Sequence, residues 1–360
     1  MKVLHVINSF APAGAEKLLL DTIPFYNHEG VQTDLLLLNG EESPFLEKLQ
    51  SLQCCNIYTL SAGSVYNPIL LFKIREYFEK YDLIHVHLFP AFYWVAFAKI
   101  FSFKKVKLIF TEHNTSNKRR GNFFLKIIER IIYSQYDNLV AISERVDFNL
   151  KKHLGPSFKN SLVIENGADL KQIHEAKPYL KNEFCSSDSV LLIQVSSFSE
   201  QKDQTTLIQA IAQLPFKSLL LLVGEGPLLD AAKILATQLG IEKQVCFLGL
   251  RMDVPQLLKT ADIVVLSSKY EGLSLSSVEG LASGKPFIAS DVPGLHEVVG
   301  GAGLLFPQGD VDTLTSHIVN LMSDSSFYDS VKTSCLQRSK SYDIQEMVKK
   351  HIDLYTSLVN

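Results

Sequence analysis

Short aliphatic runs alternate with longer stretches whose apolar residues recur at helical spacing, and the alternation extends beyond residue 300. In the first half the runs are KVLHVIN, TDLLLLN, NIYTL, DLIHVHL, KLIFTEH, NLVAIS and LVIEN. In the second half they are SVLLIQVSS, SLLLLVGEG, QVCFLG, DIVVLSS, PFIASD and GLLFP. Strands this uniformly aliphatic are buried on both faces, and alternation with helices predicts parallel sheets covered on both sides. Two successive sets predict an α/β protein of two doubly wound domains, at residues 1–170 and 188–340. The polar stretch up to about residue 188 reads as the connector between them. YDIQEMVKKHIDLYTSLV predicts an amphipathic helix over 343–360 that follows the second domain.

At 360 residues the chain is long enough for each domain to bury its own core. A formal net charge of −3 argues against bulk nucleic-acid binding. It conceals a local excess: residues 99–130 hold nine basic side chains, Lys118, Arg119 and Arg120 among them, against the acids Glu112 and Glu129. Five scattered cysteines without a CxxC pair read as reduced thiols in a cytosolic compartment. The opening MKVLHVINSFAPAGA is broken by His5 and Asn8 and reads as a first strand, not a signal peptide. FPAFYWVAFAKIFSF is interrupted by Lys99 and is too short to span a bilayer.

In doubly wound folds ligands bind beyond the carboxyl ends of the strands, so the candidate chemistry is sought there. After HVIN, Gly14 stands where a loop becomes a helix, which suits backbone approach to an anion or is an ordinary loop glycine. After KLIF, His113 stands at a strand end beside Glu112 and Asn114. His85 and His87 alternate on one strand and could hold a metal only with further ligands; none is evident, and they read as core or cleft-wall residues. After LIQVSS, Lys202 opens a helix whose N-terminus would favour phosphate, or is simply a solvated lysine. After DIVVLSS come Glu271 and Glu279, in a stretch with little charge nearby to pair them. A helix starting near Ser274 to Ser276, capped by serine hydroxyls, would put the two acids off a common face. They read as acceptors for separate hydroxyls of one extended ligand, with backbone N–H groups from Leu273 onward facing a phosphate. A nucleotide-diphosphate sugar has that form. The GEGP at 224–227 lacks the glycine pattern of a dinucleotide fold, and GLASGKP fails as a phosphate loop.

EGLSLSSVEGLASGKPFIASDVPGLHEVV resembles the E-x7-E region of retaining family 4 glycosyltransferases with the GT-B fold. GAEK, DLIHVHL, TEHNT, VAISE, VIENGAD, QKDQTTLIQA, LLLVGEGP, VCFLG and DIVVLSSKYEGLS follow in the family's order, so the resemblance spans nearly the whole chain. It implies two Rossmann-like domains facing across a cleft, the first binding acceptor, the second nucleotide sugar, and a C-terminal helix returning to the first. It implies Glu271 on donor-sugar hydroxyls, Glu279 on the ribose, Lys202 on the diphosphate, and His113 near the anomeric carbon, with His113, Glu271 and Lys202 the catalytic set. Backbone around Gly14 and Gly272–Leu273 would help with the diphosphate, and Ser197, Gly224 and Ser274 would complete the donor site. One departure stands out: the family's Gly-Arg pair before the lysine is here Ser196 and Ser197. Either Lys202 and backbone N–H groups suffice, or another base, Arg251, contributes.

The implied reaction is sugar transfer with retention, onto a glycan or lipid-linked acceptor in cell-surface polysaccharide or glycolipid synthesis. The leaving phosphate acts as base, and no glycosidase-type carboxylate nucleophile is needed. No Asp-x-Asp metal motif is evident at the candidate site, so no metal and no bound cofactor is expected. A sugar-nucleotide epimerase or phosphorylase, or a non-catalytic sugar-nucleotide-binding subunit, are the rival readings. NKRRGNFFLKIIERII, with Lys118, Arg119 and Arg120 at its entry, reads either as an ordinary core-facing helix or as a surface facing an anionic membrane from the cytoplasm.

Overall fold

The computed structural model describes residues 1–113, 123–155 and 160–360, with the backbone alone over 123–126. Two compact units result: Met1–Gly167 together with Ile344–Asn360, and Ala168–Asp343.

The first unit is built on a parallel sheet of β1 (Lys2–Ile7), β2 (Gln32–Leu37), β3 (Ile57–Thr59), β4 (Leu83–His87), β5 (Lys107–Glu112), β6 (Asn138–Ala141) and β7 (Ser161–Val163). Their order in the sheet is β3-β2-β1-β4-β5-β6-β7. The second holds β8 (Val190–Val195), β9 (Ser218–Val223), β10 (Val245–Gly249), β11 (Ile263–Leu266), β12 (Phe287–Ser290) and β13 (Leu304–Phe306), ordered β10-β9-β8-β11-β12-β13. All pairings are parallel, as the sequence predicts. Burial explains the aliphatic runs: every residue of β4 and β11 is buried, and so are five of six in β1.

In each sheet the winding reverses once, between β1 and β4 and between β8 and β11. Loops leaving those neighbours diverge and open a crevice at the carboxyl ends of the strands. Gly14 follows β1, and Ser197, Lys202 and Glu271 follow β8 and β11, at these reversals; His113 follows the neighbouring β5.

The stretch 170–188 is not a linker. Leu170–Glu175 is a helix whose Leu170 and Ile173 sit in the second unit's core, and Ala168 N donates to Tyr342 O (3.0 Å). Its polar residues face solvent while the apolar ones at helical spacing pay the cost of ordering it, a pattern too short to separate from a loop by eye. The predicted closing helix runs Ile344–Val359 and buries Ile344, Met347, Val348, His351, Leu354 and Tyr355 along one stripe. It belongs to the first unit, where Tyr26 and His351 are hydrogen-bonded (3.0 Å) and so are His85 and Tyr355 (2.6 Å). No helix among the described residues is long and apolar enough to cross a membrane.

Candidate functional site

In the second unit the loops after β8 and β11 bring Lys202 and Glu271 together, with Lys202 Nζ 2.5 Å from Glu271 Oε1. Both side chains are largely buried. Glu271 also accepts from Ser268 Oγ (2.7 Å) and Gln201 Nε2 (3.2 Å). The acid expected to stand without a counter-charge therefore has one, supplied from 69 residues away. Lys202 does not open the helix as the sequence suggested: it closes a 3₁₀ turn, Glu200–Lys202, and the helix begins at Gln204. Asp203 between them adopts φ +32°, a left-handed kink that turns the chain from one into the other.

Glu271 precedes the helix Leu275–Ala282, while the buried Glu279 lies in its second turn. The two acids thus occupy different elements, and the rotation expected of one continuous helix does not apply. Ser274 is the N-cap as predicted, but its hydroxyl makes no capping bond; its carbonyl accepts from Ser277 Oγ (2.6 Å). Gly272 and Leu273 form the turn between, held against Gly294, where a Cβ would meet Gly272 O at 2.2 Å.

The two serines in place of Gly-Arg have separate fates. Ser196 is buried, and its hydroxyl accepts from Gln194 Nε2 (2.9 Å) and Gln204 Nε2 (3.0 Å), while Gln194 Oε1 accepts from Ser267 N and Oγ. This amide relay ties β8 to β11 below the crevice. Ser197 is exposed and brings no charge. Gly224 has φ +136°, and a Cβ on it would lie 2.1 Å from Ser196 O, so the loop after β9 needs glycine to pack against that after β8. Arg251 is not a spare cation. Its Nε and Nη2 hold Asp253 Oδ1 and Oδ2 at 2.8 and 2.6 Å, and this guanidinium lowers the Asp253 carboxyl to about 2.

The first unit carries a second set of groups. Gly14 begins the helix Gly14–His28 at an exposed position where a Cβ would meet nothing within 4 Å, so the protein's own packing does not require glycine there. Two residues on, Glu16 is buried; burial raises its carboxyl to about 7, and its Oε2 has no hydrogen-bond partner. Sequence reasoning did not single out Glu16.

His113 follows β5 as predicted, and it does not stand alone. Its Nε2 lies 3.0 Å from His87 Nδ1, and His87 Nε2 lies 2.9 Å from His5 Nδ1. His85 is bonded through Nδ1 to Tyr355 and through Nε2 to Thr111 Oγ1 (2.6 Å). Burial holds His5 and His351 down at about 3 and His113 at about 4, and it depresses His85 and His87 strongly too. These rings are neutral at pH 7.

The further ligand that His85 and His87 were judged to lack is present after all: His5, from β1, brings three ring nitrogens within 4.8 Å of one another. As a metal site the fit is poor. A tetrahedral ion with Zn–N near 2.0–2.1 Å separates its ligand atoms by roughly 3.4 Å, and both nitrogens of His85 and of His87 already have hydrogen-bond partners. The cluster is a hydrogen-bonded relay.

Lys118, Arg119 and Arg120 lie outside the described residues. Of the other basic residues in that run, Lys104 pairs with Glu79 (2.6 Å), Lys107 with Asp137 (3.3 Å), and Lys99 Nζ donates to the carbonyls of Lys104 and Val106. Two of those nine charges are thus paired with acids outside the run.

Comparison with known proteins bears on the family and the fold. Residues 12–172 match the family described as Glycosyltransferase Family 4, and residues 179–335 that described as Glycosyl transferases group 1. The chain is 29% identical over 283 residues to the N-acetyl-alpha-D-glucosaminyl L-malate synthase of Bacillus anthracis, covering 76% of this chain and 74% of that protein. It is 25% identical to the UDP-Gal:alpha-D-GlcNAc-diphosphoundecaprenol alpha-1,3-galactosyltransferase of Escherichia coli, over 100% of this chain and 97% of the other. Among solved structures, Anabaena HepE in complex with UDP and glucose superposes with a TM-score of 0.87 at 22% identity, covering 99% of this chain and 100% of HepE.

Proposed function

Because the chain belongs to the family 4 glycosyltransferases with the GT-B fold, we propose that it transfers a sugar, with retention, from a nucleotide-diphosphate sugar to a hydroxyl of a glycan or lipid-linked acceptor. The observation that carries this reading is the Lys202–Glu271 pair at the β8/β11 reversal, with Glu279 one element further on. A diphosphate sugar offers an anion for Lys202 and hydroxyls for Glu271, so each partner exchanges its neighbour for a group of the donor. Glu279 takes the ribose, and the turn Gly272–Leu273 leading into the helix at Leu275 turns backbone N–H groups toward the diphosphate. Ser274, Ser197 and Gly224 line the same loops; for Gly14 and His113 the resemblance alone gives the roles, a backbone contact to the diphosphate and a contact near the anomeric carbon.

Catalysis in this reading is positioning plus stabilisation of the departing diphosphate, whose oxygen takes the acceptor's proton on the face where the new bond forms. No side chain is used as a nucleophile. Arg251 is left out, since Asp253 occupies its guanidinium. The family's missing arginine then makes donor binding rest on Lys202 and backbone. The same gap favours one of the rival readings, a subunit that binds sugar nucleotide without turning it over.

Cell-surface polysaccharide or glycolipid synthesis at the inner face of the membrane suits the relatives, one of which is named for a diphosphoundecaprenol-linked acceptor. Exposed Ile69, Phe72, Phe101 and Phe103, with Lys105 nearby in sequence, favour docking to an anionic bilayer; Lys118, Arg119 and Arg120 remain basic candidates from the sequence alone. Sedimentation with anionic liposomes at low and high salt tests that part: a protein that stays in the supernatant at low salt has no such surface.

The enzyme reading is tested by screening UDP-, GDP- and ADP-sugars for stabilisation, then measuring nucleotide release with lipid-linked acceptors and the anomeric configuration of the product. Binding without release on any acceptor supports the non-catalytic subunit, and an inverted product removes the retaining mechanism.

A further inference from the structure

His113 is the outermost of three imidazoles in line, and the protons of such a line are not independent. A neutral imidazole carries one N–H, and each of the two nitrogen–nitrogen contacts, His5 to His87 at 2.9 Å and His87 to His113 at 3.0 Å, requires one proton between its two nitrogens. Only two arrangements satisfy both. In one, every ring is protonated at Nδ1 and donates outward, from His5 to His87 to His113. In the other, every ring is protonated at Nε2 and donates inward.

The inner end decides between them. His5 is buried within its strand, and its Nε2 has no hydrogen-bond partner among the described residues. The inward arrangement would leave a buried N–H unpaired there, whereas the outward one leaves only a lone pair. Orphaned buried donors are the rarer and costlier of the two. The remaining neighbours hold the rings in place: Tyr26 and His85 lie against His5 at centroid distances of 5.5 and 4.9 Å, and His85 is itself fixed by Tyr355 and Thr111.

We infer that His87, backed by His5, is a positioning residue that fixes His113 in the Nδ1–H tautomer, so that its nitrogen not bonded to His87 is always a hydrogen-bond donor. Given the proposed transfer reaction, on which the functional half of this inference rests, His113 then offers a neutral N–H to an oxygen of the donor sugar. It cannot act as a base there, because the only lone pair on its ring is occupied by His87. The burial that depresses all three rings keeps the line uncharged at working pH.

The test is nitrogen-15 NMR of the full chain with labelled histidine at pH 7.5, His113 being assigned by the signals lost in His113→Asn. The wild type should show His113 protonated at Nδ1. His87→Phe, which keeps ring volume but removes the bond, should yield a mixture or the Nε2–H form. His87→Asn, whose amide N–H replaces the imidazole Nδ1–H, should restore Nδ1–H, and His5→Phe supplies a second variant should His87→Phe fail to fold. With a donor that is turned over, His87→Phe should lower kcat at least tenfold while KM for donor stays within twofold, and His87→Asn should recover most of the loss. An Nε2–H His113 in the wild type overturns the inference, as does an unchanged tautomer in the folded Phe variants. An Nδ1–H wild type with unchanged kcat in His87→Phe removes the positioning role alone. If no donor is turned over at all, the transferase reading fails, while the NMR result still judges the tautomer.

Discussion

Acidification from pH 7 to pH 5 should destabilise the first unit by about 4 kcal/mol, from the four groups that follow. A histidine whose folded value is pushed down is neutral in the native state but takes a proton in the unfolded chain as pH falls below about 6.5. Its contribution is therefore fully present above that value and is lost on acidification. His5 and His351, at about 3, and His113, at about 4, each lose about 2 kcal/mol over the interval. Glu16 acts in the opposite sense: raised to about 7, it is favoured by acid and returns about 2 kcal/mol. His85 and His87 add to the loss, since burial lowers both. Against the 5–15 kcal/mol of a typical domain, the remainder is large. The assay is urea unfolding followed by tryptophan fluorescence, because the chain has a single tryptophan, Trp94, in the first unit, with its indole donating to Val65 O (2.7 Å). The midpoint should fall steeply between pH 7 and 5, and less steeply in His351→Phe. A midpoint that stays level over that range would refute the burial argument.

Lys202→Ala should cost about 3 kcal/mol in stability of the second unit, by leaving the buried Glu271 carboxylate without its cation; thermal unfolding reads it, and the double change with Glu271→Leu should regain stability but not donor binding. Glu279→Ala should weaken donor binding by about 1.5–3 kcal/mol in calorimetric titration; equal affinity would remove the ribose assignment. Gly224→Ala should destabilise the second unit by more than about 2 kcal/mol, since it combines a positive φ with a 2.1 Å clash against Ser196 O. Exhaustive chelation should leave the transfer rate unchanged; recovery of lost activity by a divalent ion would contradict the metal-independent mechanism.

The strand pattern was legible because burial on both faces imposes one aliphatic composition on each strand, whichever neighbours it has. The candidate positions were legible too, since Gly14, His113, Ser197, Lys202, Arg251 and Glu271 all follow strands, and strand ends are visible locally. What escaped was partnership. Glu271 meets its lysine across 69 residues, His5 meets His87 across 82, and Tyr26 meets His351 across 325. No local periodicity encodes such contacts: the first two depend on which strands lie side by side at the winding reversal, the third on where the last helix docks. The same blindness made Arg251 look available, although its partner Asp253 is only two residues away, because the sequence does not say which way a loop arginine turns. The connector was misjudged because six helical residues give less than two turns of pattern.

The helix Ile344–Val359 also orders events during synthesis. All of Ala168–Asp343 is translated between the sheet of the first unit and the strip that completes it. As the nascent chain emerges, the second unit has every residue it needs to fold first. The earlier sheet meanwhile waits with Tyr26 and His85 lacking the partners that His351 and Tyr355 will supply. A chain ended after residue 343 and released would therefore hold every residue of the second unit while its first unit stayed incomplete.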